Sequence, residues 1–401
     1  MNTRTKLFLD KSIAKPFAYL LNFLVRIVGK IARINHNLDK DFKTIAVCKF
    51  KGMGSIIQST PMLQALRKKF PSAEIIYVSS KSNEAFLKKI NLIDTVVVVD
   101  DSGLFKFIWT NFSALFFLIK KHPEVYFDLE IYSDYSTIFT TFSLSKNRIG
   151  FYLRSSTFRM GIYTHMMFFN TRVPVSKAYL QLSKILDCET EDLSLYNFAS
   201  KGLQPKKLSD NYIVINPNAS DLRLERRWGK QNFIDLISYM LDKYQEFDIL
   251  LIGSKDEIEY TGEISKEFSN KRLIDTSGKT SLDELISIIA NAKLMITNDT
   301  GPMHIAFSSN TPVICFFGPC SPEQYGISKN AYPIYKPIYC SPCVHDFETP
   351  PCKGNNSCMN LISCDEVVKI VDQILNNQNP KIENSKFVYS YENKVLGMVN
   401  R

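Results

Sequence analysis

From Thr44 onward the chain alternates short β-rich apolar runs with helical segments, loses that rhythm, and then begins it again. Thr44–Phe50, Glu74–Ser79, Thr95–Val99 and Val125–Ile131 read as strands, with a helix over Ser55–Phe70. Between about Phe151 and Gln204 the pattern lapses, and Pro174, Pro205 and polar clusters suggest a crossover and linker. Strand character returns at Tyr212–Asn216, Phe247–Ile252, Arg272–Ile274, Leu294–Thr297 and Val313–Phe317, with helices between such as Leu282–Ala292. Such alternation implies βαβ units and parallel sheets. Two series predict an α/β chain of two Rossmann-like domains, residues 44–204 and 205–376, with parallel sheets facing a ligand cleft. Residues 1–43 form a separate N-terminal segment, and residues 377–401 read as a tail that frays, with Phe387, Tyr389 and Tyr391 able to dock.

The formal net charge of +9 is uneven. Residues 1–43 carry nine Lys/Arg against three Asp/Glu, and residues 377–401 carry four against two, so the body is close to neutral. Charge confined to the ends points to appendages that meet an acidic surface, and no nucleic-acid module accompanies it. Within Phe17–Ile34 the apolar residues Phe17, Leu20, Leu21, Leu24, Ile27, Val28, Ile31 and Ile34 recur at helical spacing, opposite Asn22, Arg26, Lys30 and Arg33. Asn22 and Arg26 interrupt what a spanning helix requires. Two readings share this pattern: a helix lying in an anionic membrane interface, or one packing its apolar face on its own domain. The first implies a cytoplasmic protein peripheral to the inner face of the cytoplasmic membrane.

Four loops carry candidate chemistry. Lys49-Phe50-Lys51-Gly52-Met53-Gly54-Ser55 joins a strand to a helix, with two glycines that allow close backbone approach. Ile57 stands where a dinucleotide fingerprint needs its third glycine, which disfavours an NAD-dependent oxidoreductase. Asn298-Asp299-Thr300-Gly301-Pro302-Met303-His304 follows a strand, and Pro302 suits a first helical turn. Thr300 and Gly301 would then offer N–H groups to a diphosphate, Asp299 would accept sugar hydroxyls or cap the helix, and His304 would fall on the first turn. Ser220, Arg223, Arg226 and Arg227 form a basic loop suited to phosphate. Asp256, in Gly253-Ser254-Lys255-Asp256-Glu257, is a candidate ribose ligand.

Five of nine cysteines crowd into one stretch, Cys340, Cys343, Cys352, Cys358 and Cys364. The spacing of the first four suits a structural zinc or iron site that folds the loop without catalysing; free thiols, or disulfides formed on oxidation, are the alternatives. Reduced thiols in a cytoplasmic setting are the expected state, since no secretory signal is visible.

Lys51–Pro61 (KGMGSIIQSTP), Asn216–Trp228 (NPNASDLRLERRW), Asp275–Leu285 (DTSGKTSLDEL), Asn298–Ala306 (NDTGPMHIA) and Phe317–Pro322 (FGPCSP) occur in one order. In these motifs the chain resembles the bacterial heptosyltransferases, glycosyltransferase family 9, from Thr44 to about Leu375. The resemblance implies a GT-B fold and an inverting transfer of a heptose or related sugar from a nucleotide diphosphate donor, ADP-heptose in the family, to a lipopolysaccharide-type or other glycan acceptor. It places the donor on Ser220, Arg226, Asp299, Thr300 and Gly301, with Asp299 and Arg226 catalytic and no cofactor required; Asp256 and His304 join that donor site on their own residue readings, and Lys51, Gly52, Gly54 and Ser55 form the candidate acceptor loop. One departure matters: the family has Asp, as general base, where this chain has Ser55. A serine hydroxyl is no base near neutral pH. Asp100, Asp101, Asp134 or His165 would then supply one, or the acceptor is acidic enough to need little help; the rival reading is a nucleotide-sugar-binding protein with little or no turnover.

Overall fold

The computed structural model describes residues 10–191, 193–198, 211–347, 350–378 and 380. The tail beyond 380 and the Pro205 end of the expected linker lie outside them. The chain divides into two units, Met1–Tyr196 and Asn197–Arg401.

The first unit begins with helix α1 (Lys15–Ala32), followed by β1 (Thr44–Cys48), α2 (Met53–Lys69), β2 (Glu74–Ser80), β3 (Thr95–Val99), α3 (Leu104–Lys121), β4 (Val125–Asp128), α4 (Asp134–Phe142), β5 (Asn147–Tyr152), β6 (His165–Phe168) and α5 (Val175–Ser183). Its sheet runs β3-β2-β1-β4-β5-β6, every pair parallel. The second unit contains β7 (Tyr212–Asn216), α6 (Lys230–Lys243), β8 (Asp248–Leu251), β9 (Leu273–Asp275), α7 (Leu282–Ala290), β10 (Leu294–Asn298), α8 (Gly301–Ser309), β11 (Val313–Phe317), β12 (Ala331–Tyr335) and α9 (Cys364–Leu375). Its sheet runs β12-β11-β10-β7-β8-β9, again all parallel. Each unit therefore has the doubly wound order 3-2-1-4-5-6, whose direction of winding reverses at β1/β4 and at β7/β10.

Central strands sit between two helical layers, so Ile45, Ala46, Val47 and Cys48, and likewise Ile213, Val214 and Ile215, lose all contact with solvent. Burial on both faces is why these strands read as continuous apolar runs rather than alternating ones. In the second unit Trp228 anchors the core, its ring 4.3 Å from Phe316 and 5.2 Å from Phe233.

The stretch read as a linker after Phe151 is partly structured. It completes β5, adds the edge strand β6, and supplies α5, which packs on α2. The pattern was hidden because β6 is only four residues long and partly exposed, with a histidine at its start.

Helix α1 lies on the first unit through the side that carries Ala18, Leu21 and Asn22. Asn22 donates from Nδ2 to the Phe158 carbonyl (2.7 Å), and Arg26 donates to Asn22 Oδ1 and to the Met160 carbonyl (2.7 Å each). Ala18, Leu21 and Asn22 are buried, whereas Phe17, Leu20, Phe23, Leu24, Ile27, Val28 and Ile31 are exposed. Most of the apolar face is thus not spent on the domain. Asp10–Ala32 is long and apolar enough to cross a membrane by length and composition alone. The bonds of Asn22 and Arg26 instead hold it alongside the unit.

Candidate active site

Parallel α/β sheets bind ligands outside the carboxyl ends of their strands, where the winding reverses. In both units the motif-bearing loops leave those positions.

In the first unit, β1 leads into Lys49–Gly52, and β4 into residues 129–133. Glu130 ties the two loops together. Its carboxylate accepts from Lys49 Nζ (2.7 Å) and from the backbone N–H groups of Phe50 (2.8 Å) and Lys51 (3.0 Å). Both charged groups are buried. Burial opposes charge on each, but their mutual attraction outweighs it: Glu130 is held below the usual carboxylate range and Lys49 above its ordinary value. Beneath them, fully buried Arg159 donates to the carbonyls of Glu130 (2.7 Å) and Ser133 (3.0 Å). Gly52, at φ +85°, makes the turn into α2 in a conformation that side chains rarely adopt.

This framework presents the candidate acceptor loop. Lys51 and Gly52 are exposed, Gly54 is buried, and Ser55 is half-buried with its hydroxyl bonded to the phenol of Tyr179. Ser55 is therefore a hydrogen-bonded hydroxyl with no carboxylate in its place. Of the four substitute bases, Asp134 has the environment of one. It opens α4, with Ser133 as the N-cap, directly after the loop that holds Glu130. Burial, then the charge of Asp10, raises its carboxyl to about 6, against the pull of Lys15 and Arg159. Asp10 reaches the same turn, accepting from the Tyr135 N–H at 2.6 Å. Asp100 is held below its ordinary value by bonds from Ser102, and burial followed by the charge of His36 lowers His165. Asp101 sits in the loop between β3 and α3.

In the second unit, β7 and β10 end side by side on Asn216 and Asn298. Asn298 donates to the carbonyls of Pro217 and Asn218 (2.9 Å each) and accepts from the Trp228 N–H (3.0 Å). Asn216 donates to the hydroxyls of Thr300 (2.9 Å) and Thr297 (3.1 Å). Thr300 caps α8 in extended conformation with its hydroxyl already engaged, so the side chain does not close off the N–H groups of the first turn. Arg226 stands beside that helix start, its Nη1 3.4 Å from Asp299 Oδ2. Both side chains are largely buried; Asp299 Oδ2 has only this long ion-pair contact, and Arg226 Nε has no hydrogen-bond partner. Asn218 Oδ1 and Ser277 Oγ are buried without partners nearby, where Gly253 approaches so closely that a Cβ would lie 2.9 Å from each of the two side chains. A cation, a helix N-terminus and unsatisfied buried polar atoms make an anion-binding site flanked by groups that take hydroxyls.

The remaining candidates lie less centrally. Ser220 is exposed, and its carbonyl accepts from the Arg223 N–H at 2.9 Å. His304 is on the first turn of α8 but buried edge-on against Phe307, and burial drops its imidazole to about 4, so it stays neutral. Asp256 lies exposed in the turn after β8 and is not drawn into the Asn216–Arg226–Asp299 network. Asn218, Ser277, Asn298, Glu130 and Arg159 escaped the sequence reading. Asn298 and Asn218 stood inside quoted motifs, but their partners are 80 residues apart in the chain.

The cysteines are all free. Cys343 and Cys358 are buried and Cys340 and Cys352 half-buried, with Cys364 opening α9. Burial, then the neighbouring Cys343, Cys340 and Cys352, pushes the Cys358 thiol up to about 12. The four thiols are gathered, yet among the described residues no group of three or more His, Cys, Asp or Glu is arranged to hold a metal ion.

Two doubly wound parallel sheets, each with a motif-bearing switch point, define the GT-B fold. The profile of glycosyltransferase family 9 (heptosyltransferase) matches residues 116–352, and the chain belongs to that family. It is a glycosyltransferase. It is 30% identical over 155 residues to lipooligosaccharide heptosyltransferase 2 of Haemophilus influenzae, spanning 38% of this chain and 42% of that protein. Lipopolysaccharide heptosyltransferase 1 of Campylobacter coli is 23% identical over 352 residues, 83% of this chain and 99% of its own length. Among solved structures, the ADP-heptose lipopolysaccharide heptosyltransferase II of Escherichia coli superposes with TM-score 0.66 at 19% identity, covering 83% of this chain and 99% of that one. A family 9 glycosyltransferase from Veillonella parvula gives 0.67 at 21%, covering 86% and 100%. These structural likenesses bear on the fold.

Proposed function

We propose that the chain transfers a heptose or related sugar, with inversion, from a nucleotide diphosphate donor, ADP-heptose, to a lipopolysaccharide-type or other surface glycan, at the inner face of the cytoplasmic membrane. The observation that carries this reading is the buried Arg226–Asp299 ion pair at the start of α8, whose Arg226 Nε has no hydrogen-bond partner. The donor diphosphate takes Arg226 and the N–H groups of Thr300 and Gly301, and Asp299 takes a sugar hydroxyl. Ser220 and Asp256 are peripheral donor contacts, and His304 packs the first turn from within. An acceptor hydroxyl attacks the anomeric carbon, its proton passes to a carboxylate, and the bond to the diphosphate breaks with the electron pair leaving on oxygen. The growing charge on that oxygen meets a guanidinium and a helix N-terminus fixed in advance, so the step needs no metal.

Asp134 takes the proton in this account, in place of the aspartate that Ser55 replaces. A base with a pKa of about 6 is ionised at neutral pH and still basic enough to take a proton. Asp134→Asn is expected to lower kcat by about 10²–10⁴-fold with donor affinity little changed. The wild type should lose activity as pH falls through about 6, because protonation removes the base; a D134N variant keeping wild-type kcat overturns this role. Ser55→Asp separates the rival reading. A large gain in turnover means a degenerate, mainly binding site, and no gain means the native base lies elsewhere.

The basic segment 1–43 touches an anionic membrane, with the outward apolar face of α1 in its interface. Cys340, Cys343, Cys352 and Cys358 would have to rearrange to hold a zinc or iron, and a metal bound there would serve the loop alone: added zinc would then raise the melting temperature and leave donor affinity unchanged.

A further inference from the structure

Helix α3 carries a second stripe that the family reading leaves unused. Phe105, Trp109, Phe112 and Phe116 are 81%, 69%, 69% and 72% exposed. Their spacing of four, three and four residues puts them on one side of the helix. The other side is already in use: Ala114 and Leu118 are buried, and Phe107, Leu115 and Phe117 pack against the sheet core. Four aromatic side chains so exposed present roughly 500 Å² of apolar surface, as large as the biggest patch on a typical soluble monomer.

This stripe lies on the same face of the sheet as α1. Phe107 of α3 packs on Tyr135 of α4 with ring centroids 5.4 Å apart, and the Tyr135 hydroxyl bonds Asn111. At the far end of α4, Phe142 stacks on Phe17 of α1 at 6.2 Å. Helices α3, α4 and α1 thus form one layer, with exposed apolar side chains along both flanks.

Charge selects the occupant. The segment 104–121 contains Lys106, Lys120 and Lys121 and no Asp or Glu. Lys120 continues the stripe one turn beyond Phe116 and is exposed. A second copy of the chain, placed by a twofold axis, would set this basic stripe against itself. Anionic headgroups complement it, and aromatic rings suit the boundary between headgroups and acyl chains. We propose that α3 is a second membrane-docking helix, which lays Phe105, Trp109, Phe112 and Phe116 into the interface of an anionic phospholipid bilayer beside α1. It rests on the reading above only in taking a membrane as the working surface. With two helices engaged, the first unit meets the bilayer by one whole face and its rotation about α1 is blocked.

Trp109 reports this directly. The chain has two tryptophans, and the other, Trp228, is fully buried in the second unit. Full-length protein is mixed with vesicles of phosphatidylglycerol and phosphatidylethanolamine, and with phosphatidylcholine alone. The expected result is a blue shift of emission and quenching by brominated acyl chains on the anionic vesicles, and much less on the neutral ones. The triple variant Phe105→Ser, Phe112→Ser, Phe116→Ser should weaken vesicle binding by about tenfold or more while sugar transfer to detergent-dispersed acceptor is unchanged. Sedimentation with vesicles while Trp109 emission stays water-exposed overturns the proposal and leaves α1 as sole anchor. A stable dimer that shields Trp109 without lipid also overturns it. Failure of transfer in detergent would instead count against the proposed reaction, so the two failures are told apart.

Discussion

Arg226→Ala is expected to cut turnover of the nucleotide sugar by about 10²–10³-fold, the loss typical of removing one fixed donor from a developing oxyanion. Arg226 stands beside the start of α8, where its charge adds to the unpaired N–H groups of that helix, and burial spares it from screening by water. Arg226→Lys keeps the charge and loses the fork, so it should recover part of the rate. Removing the guanidinium also leaves Asp299 buried without its cation, so the melting temperature falls along with kcat. Steady-state kinetics beside a thermal melt separates the two effects: the lysine variant should restore the melt more fully than the rate. Wild-type kcat in R226A would remove the guanidinium from the reaction.

Glu130→Gln is expected to destabilise the first unit by about 3–5 kcal/mol, because it leaves Lys49 charged and buried with no counter-ion. The same change weakens the two backbone bonds that shape the loop at Phe50 and Lys51. Replacing both partners by apolar residues, Lys49→Met with Glu130→Leu, should cost much less in stability while still disturbing the acceptor loop. Urea denaturation of the single and double variants measures the difference. A pH dependence follows from the depressed carboxyl of Glu130. Its stabilisation is fully present above the ordinary carboxyl value of 4.5 and is lost as the pH falls below it toward the lower folded value. Stability unchanged by E130Q would mean that the pair holds nothing together.

The two halves of the fold differ in how far they could be read from the chain. Tyr212–Asn216 and Leu294–Thr297 were legible because strands buried on both faces have no polar positions to blur the pattern. The edge strand β6 lacks that pressure, so residues 151–204 passed for a linker. Thr300 and Gly301 were legible as a helix start because Pro302 marks the first turn locally. Glu130 was not, since nothing near it in sequence says that a lysine 81 residues earlier will be buried against it. Asp134 could be shortlisted from its chemistry alone; its raised carboxyl depends on burial and then on Asp10, which reaches it across more than a hundred residues. Helix α1 was read correctly as amphipathic. Its orientation followed only from the bonds of Asn22 and Arg26 to carbonyl groups of a distant turn.

The central claim is that this chain moves a sugar from a nucleotide diphosphate without a metal in the reaction. Full-length protein, with EDTA present, is incubated with ADP-heptose and a lipopolysaccharide core lacking heptose, and released ADP is counted against heptose transferred. The expected result is one ADP per sugar, with the anomeric configuration of the product inverted by NMR. A folded, donor-binding protein that releases no ADP and transfers no sugar, from this donor or from a panel of other nucleotide sugars, would contradict it.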